Sequence, residues 1–167
     1  MIIAFDTYYF DTFAKTVCLT FNNWNDSDYT NVYTETLENI TEYIPGEFYR
    51  KELPCILSLT KKINLQNVNF IIIDGFVYLD DNKKFGLGAF LYESLNRKIP
   101  IIGIAKTNFA TIEKNKKTLI RGKSKNPLFI TSIGIEVEEA LKKVETMHGE
   151  YRIPTLLKEL DRLTKEK

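Results

Sequence analysis

Two short apolar runs separated by a helix-length segment constrain the fold of this chain more than any other feature. The first run, Phe70 to Ile73, ends on Asp74, and the second, Ile99 to Ala105, ends on Lys106. The segment between them, from about Gly86 to Asn96, has the length of a short helix. Continuous β-branched runs joined in this way are typical of a βαβ unit with two parallel, doubly covered strands. Functional groups in such sheets lie where the strands end, so Asp74 and Lys106 are predicted to share one edge.

The chain before this unit predicts an antiparallel meander. Met1 to Asp6 is an apolar run that ends on an aspartate, Lys15 to Asn22 alternates apolar and polar residues, and Tyr29 to Thr36 has a strand-like composition. The first of these strands can lie beside the βαβ unit. Asp6 and Asp74 would then be neighbours on adjacent strands.

A helix is predicted after the turn at Pro45 and Gly46. From Glu47 onward the apolar residues recur at helical spacing, and Pro54 is expected in the first turn of the helix. Glu52 is then expected just before the helix, pointing into a crevice instead of packing in the core.

The second half of the chain predicts a hairpin and two more helices. Thr118 to Arg121 and Pro127 to Ser132 are expected to be its strands, and Ile135 to Met147 is amphipathic. A last helix follows Pro154. The predicted fold is an α/β domain over residues 1–167, with a mixed sheet of meander and parallel βαβ strands flanked by helices.

Composition sets the remaining limits. The chain has 167 residues, enough for one compact domain, and a formal charge of +1, so nucleic-acid binding would need local clusters of lysine and arginine. Cys18 and Cys55 have no metal-type spacing and are predicted to be reduced core thiols. No apolar stretch is long enough to span a bilayer, and the N-terminus leads straight into a strand. We therefore expect an intracellular, cytoplasmic protein without membrane association.

Three acidic residues carry the predicted chemistry. Asp6, Glu52 and Asp74 are expected to converge on one divalent cation, since magnesium takes oxygen ligands and keeps waters that can be activated for attack on a phosphodiester. The two aspartates could equally be strand-end or turn residues without a functional role. The residues alone leave both interpretations open.

Four blocks of sequence resemble the endonuclease V family. They are YIPGEFYRKELP, IIIDG, KKFGLGAFLYESLNRKIPIIGIAKTNF and EYRIP, in the family's order across nearly the whole chain. The resemblance implies a ribonuclease H-like fold and a Mg²⁺-dependent nuclease, with Mn²⁺ as an alternative metal. It also implies cleavage one nucleotide beyond a deaminated base, above all inosine, in single- or double-stranded DNA or in RNA.

The resemblance also implies roles for individual residues. Asp6, Glu52 and Asp74 match the metal-binding acids, and Lys106 matches a lysine that acts near the scissile phosphate. The positions that match nucleic-acid contacts are the wedge Tyr43, Ile44 and Pro45 and the glycines beside the extruded base, Gly46, Gly75 and Gly103. The chain is expected to act as a monomer with nucleic acid as its partner.

The chain departs from the family pattern beside the base and at its histidines. Phe76 and Val77 replace small or polar residues after the second metal aspartate, and Asp80 stands where the family has a histidine. The histidine of the late helix falls on Ile133 or Ile135, and neither can ligate a metal.

The chain's only histidine is not expected to compensate for that missing histidine, but a glutamate could. His148, at the far end of the helix, is expected to be a helix C-terminal cation. Glu136, in the first turn, is a candidate fourth carboxylate, with a plain helix-dipole partner as the alternative.

Two other functions stay open. The same fold could serve a catalytically impaired nucleic-acid-binding protein that uses the basic segment Lys114 to Lys125, although that segment could also be a solvated loop. Activity on RNA–DNA hybrids is a third possibility.

Overall fold

A single mixed sheet organises the molecule. The computed structural model describes residues 1–38, 49–109 and 111–167. The strands in chain order are β1 (Ile2–Tyr9), β2 (Phe13–Phe21), β3 (Asn31–Glu38), β4 (Phe70–Asp74), β5 (Ile101–Ala105), β6 (Lys117–Leu119) and β7 (Leu128–Ile133). Their spatial order is β3-β2-β1-β4-β5-β7-β6.

The pairing directions confirm the predicted topology. β1, β2 and β3 form an antiparallel meander, and β1 lies parallel to β4, which lies parallel to β5. On the other side of β5, β7 pairs with β5 in the antiparallel direction, and β6 pairs with β7 in the same way. The fold is thus an α/β fold with the mixed sheet expected from the sequence.

Four helices cover the two faces of the sheet. They are α1 (Tyr49–Thr60), α2 (Leu87–Ser94), α3 (Val137–Glu145) and α4 (Thr155–Lys165). Side chains of α1 and α2 pack in one core layer, whereas those of α3 and α4 pack in the other. Alternate residues of β1 supply both layers, Ile3 and Phe5 to the first and Ile2 and Ala4 to the second, because side chains of a strand alternate between faces.

The cysteines and the apolar segments also agree with expectation. Cys18 and Cys55 are both free and buried, as predicted. Among the described residues, no helix combines the length and apolarity needed to cross a membrane.

The first strand is longer than predicted. β1 does not end at Asp6 but continues to Tyr9, paired with β2 as far as Ala14. Its parallel pairing with β4 stops earlier, at Phe5 opposite Ile73. Asp6 therefore lies within the β1–β2 hairpin, at the point where the hairpin extends beyond the parallel part of the sheet.

The position of Glu52 was also predicted wrongly. It lies inside α1, not before it, and is only 2% exposed, while Pro54 falls in the second turn. The apolar stripe of α1 begins before the proline, since Leu53 packs on the same core as Ile56. Burial of that stripe stabilises helical backbone that the proline alone would disfavour.

Candidate active site

The carboxyl ends of the parallel strands bring two aspartates together. Phe5 of β1 pairs with Ile73 of β4, so Asp6 and Asp74 follow in register on adjacent strands. The Asp6 carboxylate also accepts a hydrogen bond from the Thr7 amide at 2.8 Å. The sequence prediction that these two residues are neighbours is confirmed.

Lys106 lies at the same edge, one strand further along. Its Nζ is 3.1 Å from Asp74 Oδ2, which confirms the predicted shared edge. Partial burial lowers the pKa of Lys106, but the three carboxylates around it more than compensate and raise that pKa above its ordinary value. The ammonium group therefore stays charged.

Asp161 is a site residue that the sequence analysis missed. It lies on α4, its carboxylate is 3.7 Å from Lys106 Nζ, and its charge contributes to the raised pKa of Asp6. Lys165, one turn later on the helix, pairs with it at 2.7 Å. The only sequence signal was an acidic residue directly after the buried Leu160, on the border of an amphipathic helix.

Glu52 approaches the cluster from the opposite face. α1 packs on β1 and β2 and buries the Glu52 side chain. Burial, together with the charges of Asp6 and Asp74, raises the pKa of Glu52 well above its ordinary value. A fully buried glutamate is uncommon in proteins unless it is paired.

Asp6 is also an acid whose pKa is raised by burial, to a smaller degree than that of Glu52. Burial and then the charge of Asp74 raise the pKa of Asp6 to about 6, against the lowering effect of Lys106. Clustered acids that are costly to ionise are typical of functional sites.

The donor set fits a hard divalent cation by its chemistry. All candidate ligands are carboxylate oxygens, and their mutual repulsion is what a bound cation would relieve. Their present positions are not a finished coordination shell, since among residues 1–38, 49–109 and 111–167 no three His, Cys, Asp or Glu side chains are close enough to hold one ion. Lys106 supplies the counter-charge beside Asp74 instead.

Glu136 does not compensate for the missing family histidine. Ile133 at the end of β7 pairs with Ile101 at the start of β5, whereas Lys106 follows the end of β5. Glu136 therefore belongs to the opposite edge of the sheet, roughly 16 Å from Lys106 along β5 at ~3.3 Å per strand residue. This candidate is wrong because β7 runs antiparallel to β5.

His148 does not lie at the end of α3, where a helix C-terminal cation was predicted. α3 ends at Glu145, and the exposed His148 ring hydrogen-bonds through Nδ1 to Thr155 Oγ1 at 2.9 Å, at the start of α4. It contributes to the turn that joins the two helices.

The basic segment Lys114 to Lys125 is not a uniform cationic surface. Arg121 is only 7% exposed and donates hydrogen bonds to backbone carbonyls of the turn between α3 and α4, including that of Tyr151 at 2.8 Å. Arg152 in that turn donates to the carbonyl groups of Lys106 and Pro127. The two arginines tie α4, and with it Asp161, to the edge of the sheet that carries Lys106.

The predicted nucleic-acid contacts are only partly described. Tyr43, Ile44, Pro45 and Gly46 lie outside the described residues. Gly75, at φ +126°, faces open space beside Asp74. Gly103 lies inside β5, and a Cβ there would be 2.5 Å from the Gly75 carbonyl oxygen. The absence of a side chain at Gly103 therefore allows the turn at Gly75 to pack directly on β5.

Solved structures with the same fold define the class of protein. A Bacillus subtilis endonuclease V superposes with a TM-score of 0.73 at 18% identity, covering 98% of this chain and 77% of that one. A Ciona intestinalis endonuclease V in complex with DNA containing an inosine followed by a ribo-adenosine gives 0.79 at 16% identity, covering 98% and 84%. Human ENDOV gives 0.74 at 17% identity, covering 98% and 82%. The mixed sheet therefore has the fold of these endonuclease V structures.

The sequence identifies the family itself. The family model for endonuclease V matches residues 1–162, so this chain belongs to the endonuclease V family. No curated protein matches the sequence.

Proposed function

We propose that this protein is a divalent-metal-dependent endonuclease that cleaves a phosphodiester near a deaminated base, inosine above all, in DNA or RNA, and so acts in nucleic-acid repair. The observation that carries the proposal is the cluster of Asp6, Asp74 and Asp161 around Lys106, with Glu52 buried behind it. Family membership and the inosine-containing DNA bound by the Ciona relative support the substrate class.

The acidic residues would hold the metal. Asp6 and Asp74 lie on paired strands, Asp161 of α4 lies beside Lys106, and Glu52 supplies a buried carboxylate. Mg²⁺, or Mn²⁺ in its place, supplies Lewis-acid activation of a water and of the phosphate when bound.

Lys106 would act on the phosphate itself. Its ammonium group is held charged by the surrounding carboxylates and lies at the open edge of the sheet. A fixed positive charge at this position stabilises the charge that develops on phosphate oxygens during cleavage. For the strand beside the base, the family resemblance assigns the wedge role to Tyr43, Ile44 and Pro45.

A nucleic-acid-binding protein without catalysis is the second candidate. It is favoured by the position of Lys106, whose ammonium group already neutralises Asp74, and by the lack of a finished three-ligand shell in the described residues. In this case the acidic cluster would have only a structural role.

A cleavage assay separates the two candidates. Labelled oligonucleotides carrying one inosine, as DNA, RNA and RNA–DNA hybrid, are incubated with and without Mg²⁺ or Mn²⁺. We expect metal-dependent product from the native chain and from Asp28→Asn, an exposed control acid on the β2–β3 loop, but none from Asp74→Asn. Binding without product in every arm would establish the second candidate.

A further inference from the structure

A groove at the far end of the sheet from the acidic cluster has the size and lining of a binding site. Its volume is about 650 Å³, within the range of ~300–1,000 Å³ that small-molecule sites occupy. Ile2 and Phe70 pair at the start of β1 and β4, four residues before Asp6 and Asp74, so roughly 13 Å separates the groove from the cluster at ~3.3 Å per strand residue. The residues that line the groove are all described: Ile2, Asn22, Asn23, Trp24, Asn25, Asn69, Phe70 and Thr146.

The chain's one tryptophan forms an aromatic wall of this groove. Trp24 lies in the β2–β3 loop, is half-buried, and packs edge to face on Phe70, with 5.5 Å between the ring centroids and 62° between the rings. An edge-to-face contact covers at most one face of one of the two rings. The half-buried Trp24 therefore still offers ring surface to a ligand.

Hydrogen bonds hold the polar side of the groove in one shape. The Asp26 carboxylate accepts hydrogen bonds from the backbone amides of Asn23 and Asn22, at 2.9 and 3.0 Å, and these bonds lower the pKa of Asp26. The side chains of Asn22 and Asn25 are exposed, so their carboxamide groups can bind a ligand while this turn stays intact. Binding to such a preorganised loop loses little conformational entropy.

The lining favours an uncharged ligand. None of the eight residues that line the groove has a charged side chain. Thr146 caps the C-terminal end of α3, where backbone carbonyl groups carry partial negative charge and disfavour a phosphate. The Lys143 ammonium group, 4.9 Å from the centroid of the Phe70 ring, also pairs with Glu139 at 3.6 Å, which offsets its charge. A neutral ring with a flat face and a polar edge matches this lining.

We propose that this groove is a second binding site, for a nucleobase and adenine above all, with the base face against Trp24 and the base edge toward Asn22 and Asn25. Stacking on an aromatic side chain suits every base. A carboxamide presents a donor beside an acceptor, the pattern that pairs with N6 and N7 of adenine.

The source of the base is either a free nucleoside or a single strand, because the recognised chemistry is the same in both. The groove lies at the opposite end of the strands from Asp6 and Asp74, so it can be filled while the acidic edge is also occupied. The inference therefore does not depend on the proposed nuclease function.

Trp24 is the probe for this site, because the chain has no other tryptophan. Adenosine, adenosine monophosphate, inosine and ribose are titrated separately into the native chain without divalent cations, and tryptophan fluorescence is followed. We expect a saturable change with adenosine, equal affinity for the monophosphate and no change with ribose. Inosine lacks the N6 donor, so it should bind roughly 5- to 150-fold more weakly than adenosine.

Variants show which side chains are responsible. Asn22→Ala with Asn25→Ala keeps the tryptophan and should remove the preference for adenosine over inosine, whereas Asn82→Ala, at an exposed asparagine between β4 and α2, is the matched control and should keep it. Trp24→Ala removes the probe, so equilibrium dialysis with labelled adenosine is used. Its affinity should fall roughly 5- to 150-fold, the range of one base–aromatic stack, and Trp24→Phe should keep most of it.

The outcomes separate this inference from the nuclease proposal. A response to ribose equal to that to adenosine would identify a sugar site and overturn the nucleobase, as would binding that requires the phosphate or persists in Trp24→Ala. No response to any ligand would also overturn the inference, whatever the cleavage assay shows. A single strand of adenines that competes with adenosine identifies a strand as the source of the base, and one that does not identifies the free nucleoside; both support a nucleobase site.

Discussion

Asp161 shows how much a single residue adds at this site. Its carboxylate shares Lys106 with Asp74 and raises the cost of ionising Asp6. If it acts as a metal ligand or orients one, Asp161→Asn should lower metal-dependent cleavage by about 10- to 100-fold while the chain stays folded. Rates under single-turnover conditions, with circular dichroism as the check on folding, measure this.

Glu136→Gln is the matched control for that variant. The residue is also acidic and also near a helix, but it lies at the opposite edge of the sheet, so its replacement should leave cleavage unchanged. Equal losses in the two variants would show that Asp161 acts only through general charge or stability.

The raised pKa of Asp6 predicts that ionisation of this residue lowers the stability of the folded protein. Its pKa is about 6 in the folded protein and 3.8 as an ordinary value, so the folded state binds more protons between these limits. The free energy of unfolding should therefore fall as pH rises from about 4 to 6, by up to about 3 kcal/mol at ~1.4 kcal/mol per pKa unit.

Asp6→Asn tests this effect. In chelator-treated protein the variant should be more stable than the native chain at pH 7.5, and the difference should shrink at pH 4. Urea unfolding at the two pH values measures it, and the difference includes a change in the Glu52 titration, because the Asp6 charge raises the pKa of Glu52. An equal pH dependence in both proteins would contradict the prediction.

At the scale of elements, the contact between β5 and the turn after β4 holds the site edge together. A Cβ on Gly103 would lie 2.5 Å from the Gly75 carbonyl oxygen and 2.7 Å from Thr131 Oγ1. Gly103→Ala should lower the free energy of unfolding by about 1–3 kcal/mol, as overpacking does, and should also weaken cleavage because the turn beside Asp74 must move.

Ile102→Val on the same strand gives the comparison. It removes one buried methyl group without crowding the turn, so it should cost about 0.5–1.5 kcal/mol and leave cleavage near the native rate. Thermal unfolding and cleavage rates of both variants would show whether the loss of activity in Gly103→Ala exceeds its loss of stability.

For the molecule as a whole, the charge balance limits how nucleic acid can be held. The formal charge is only +1, and Arg121 is buried in a structural role. Lys123 and Lys125 are exposed in the turn before β7, close to Pro127. Arg152 donates hydrogen bonds to the carbonyl groups of both Pro127 and Lys106, so this turn lies near the edge that carries Lys106. These two exposed lysines can therefore meet phosphates near that edge.

Replacing both lysines with alanine should weaken binding to a single strand and make it less salt-dependent. Each lost phosphate contact lowers the slope of log affinity against log salt by ~0.7, so the double variant should lose about 1 to 1.5. Lys61→Ala with Lys98→Ala, exposed after α1 and just before β5, is the control pair and should keep the native slope. Identical slopes in all three proteins would remove the basic turn from the binding surface.

The order of strands and helices and the meeting of Asp6, Asp74 and Lys106 at one edge were determined by the sequence itself. Hydrophobic periodicity is a local property, and residues that follow adjacent parallel strands share an edge whatever else the chain does. The four family blocks are also local, and they carry the nuclease interpretation in their residues alone.

Only the tertiary structure decided that Asp161 lies at the site, that Glu52 is buried inside α1 and that Glu136 lies at the opposite edge of the sheet. Each of these depends on how helices dock on the two faces of the sheet and on the antiparallel direction of β7. Those arrangements follow from the packing of apolar side chains that are far apart in sequence, for example Leu160 of α4 against β1. A local sequence pattern does not specify which polar residue such packing places at the site.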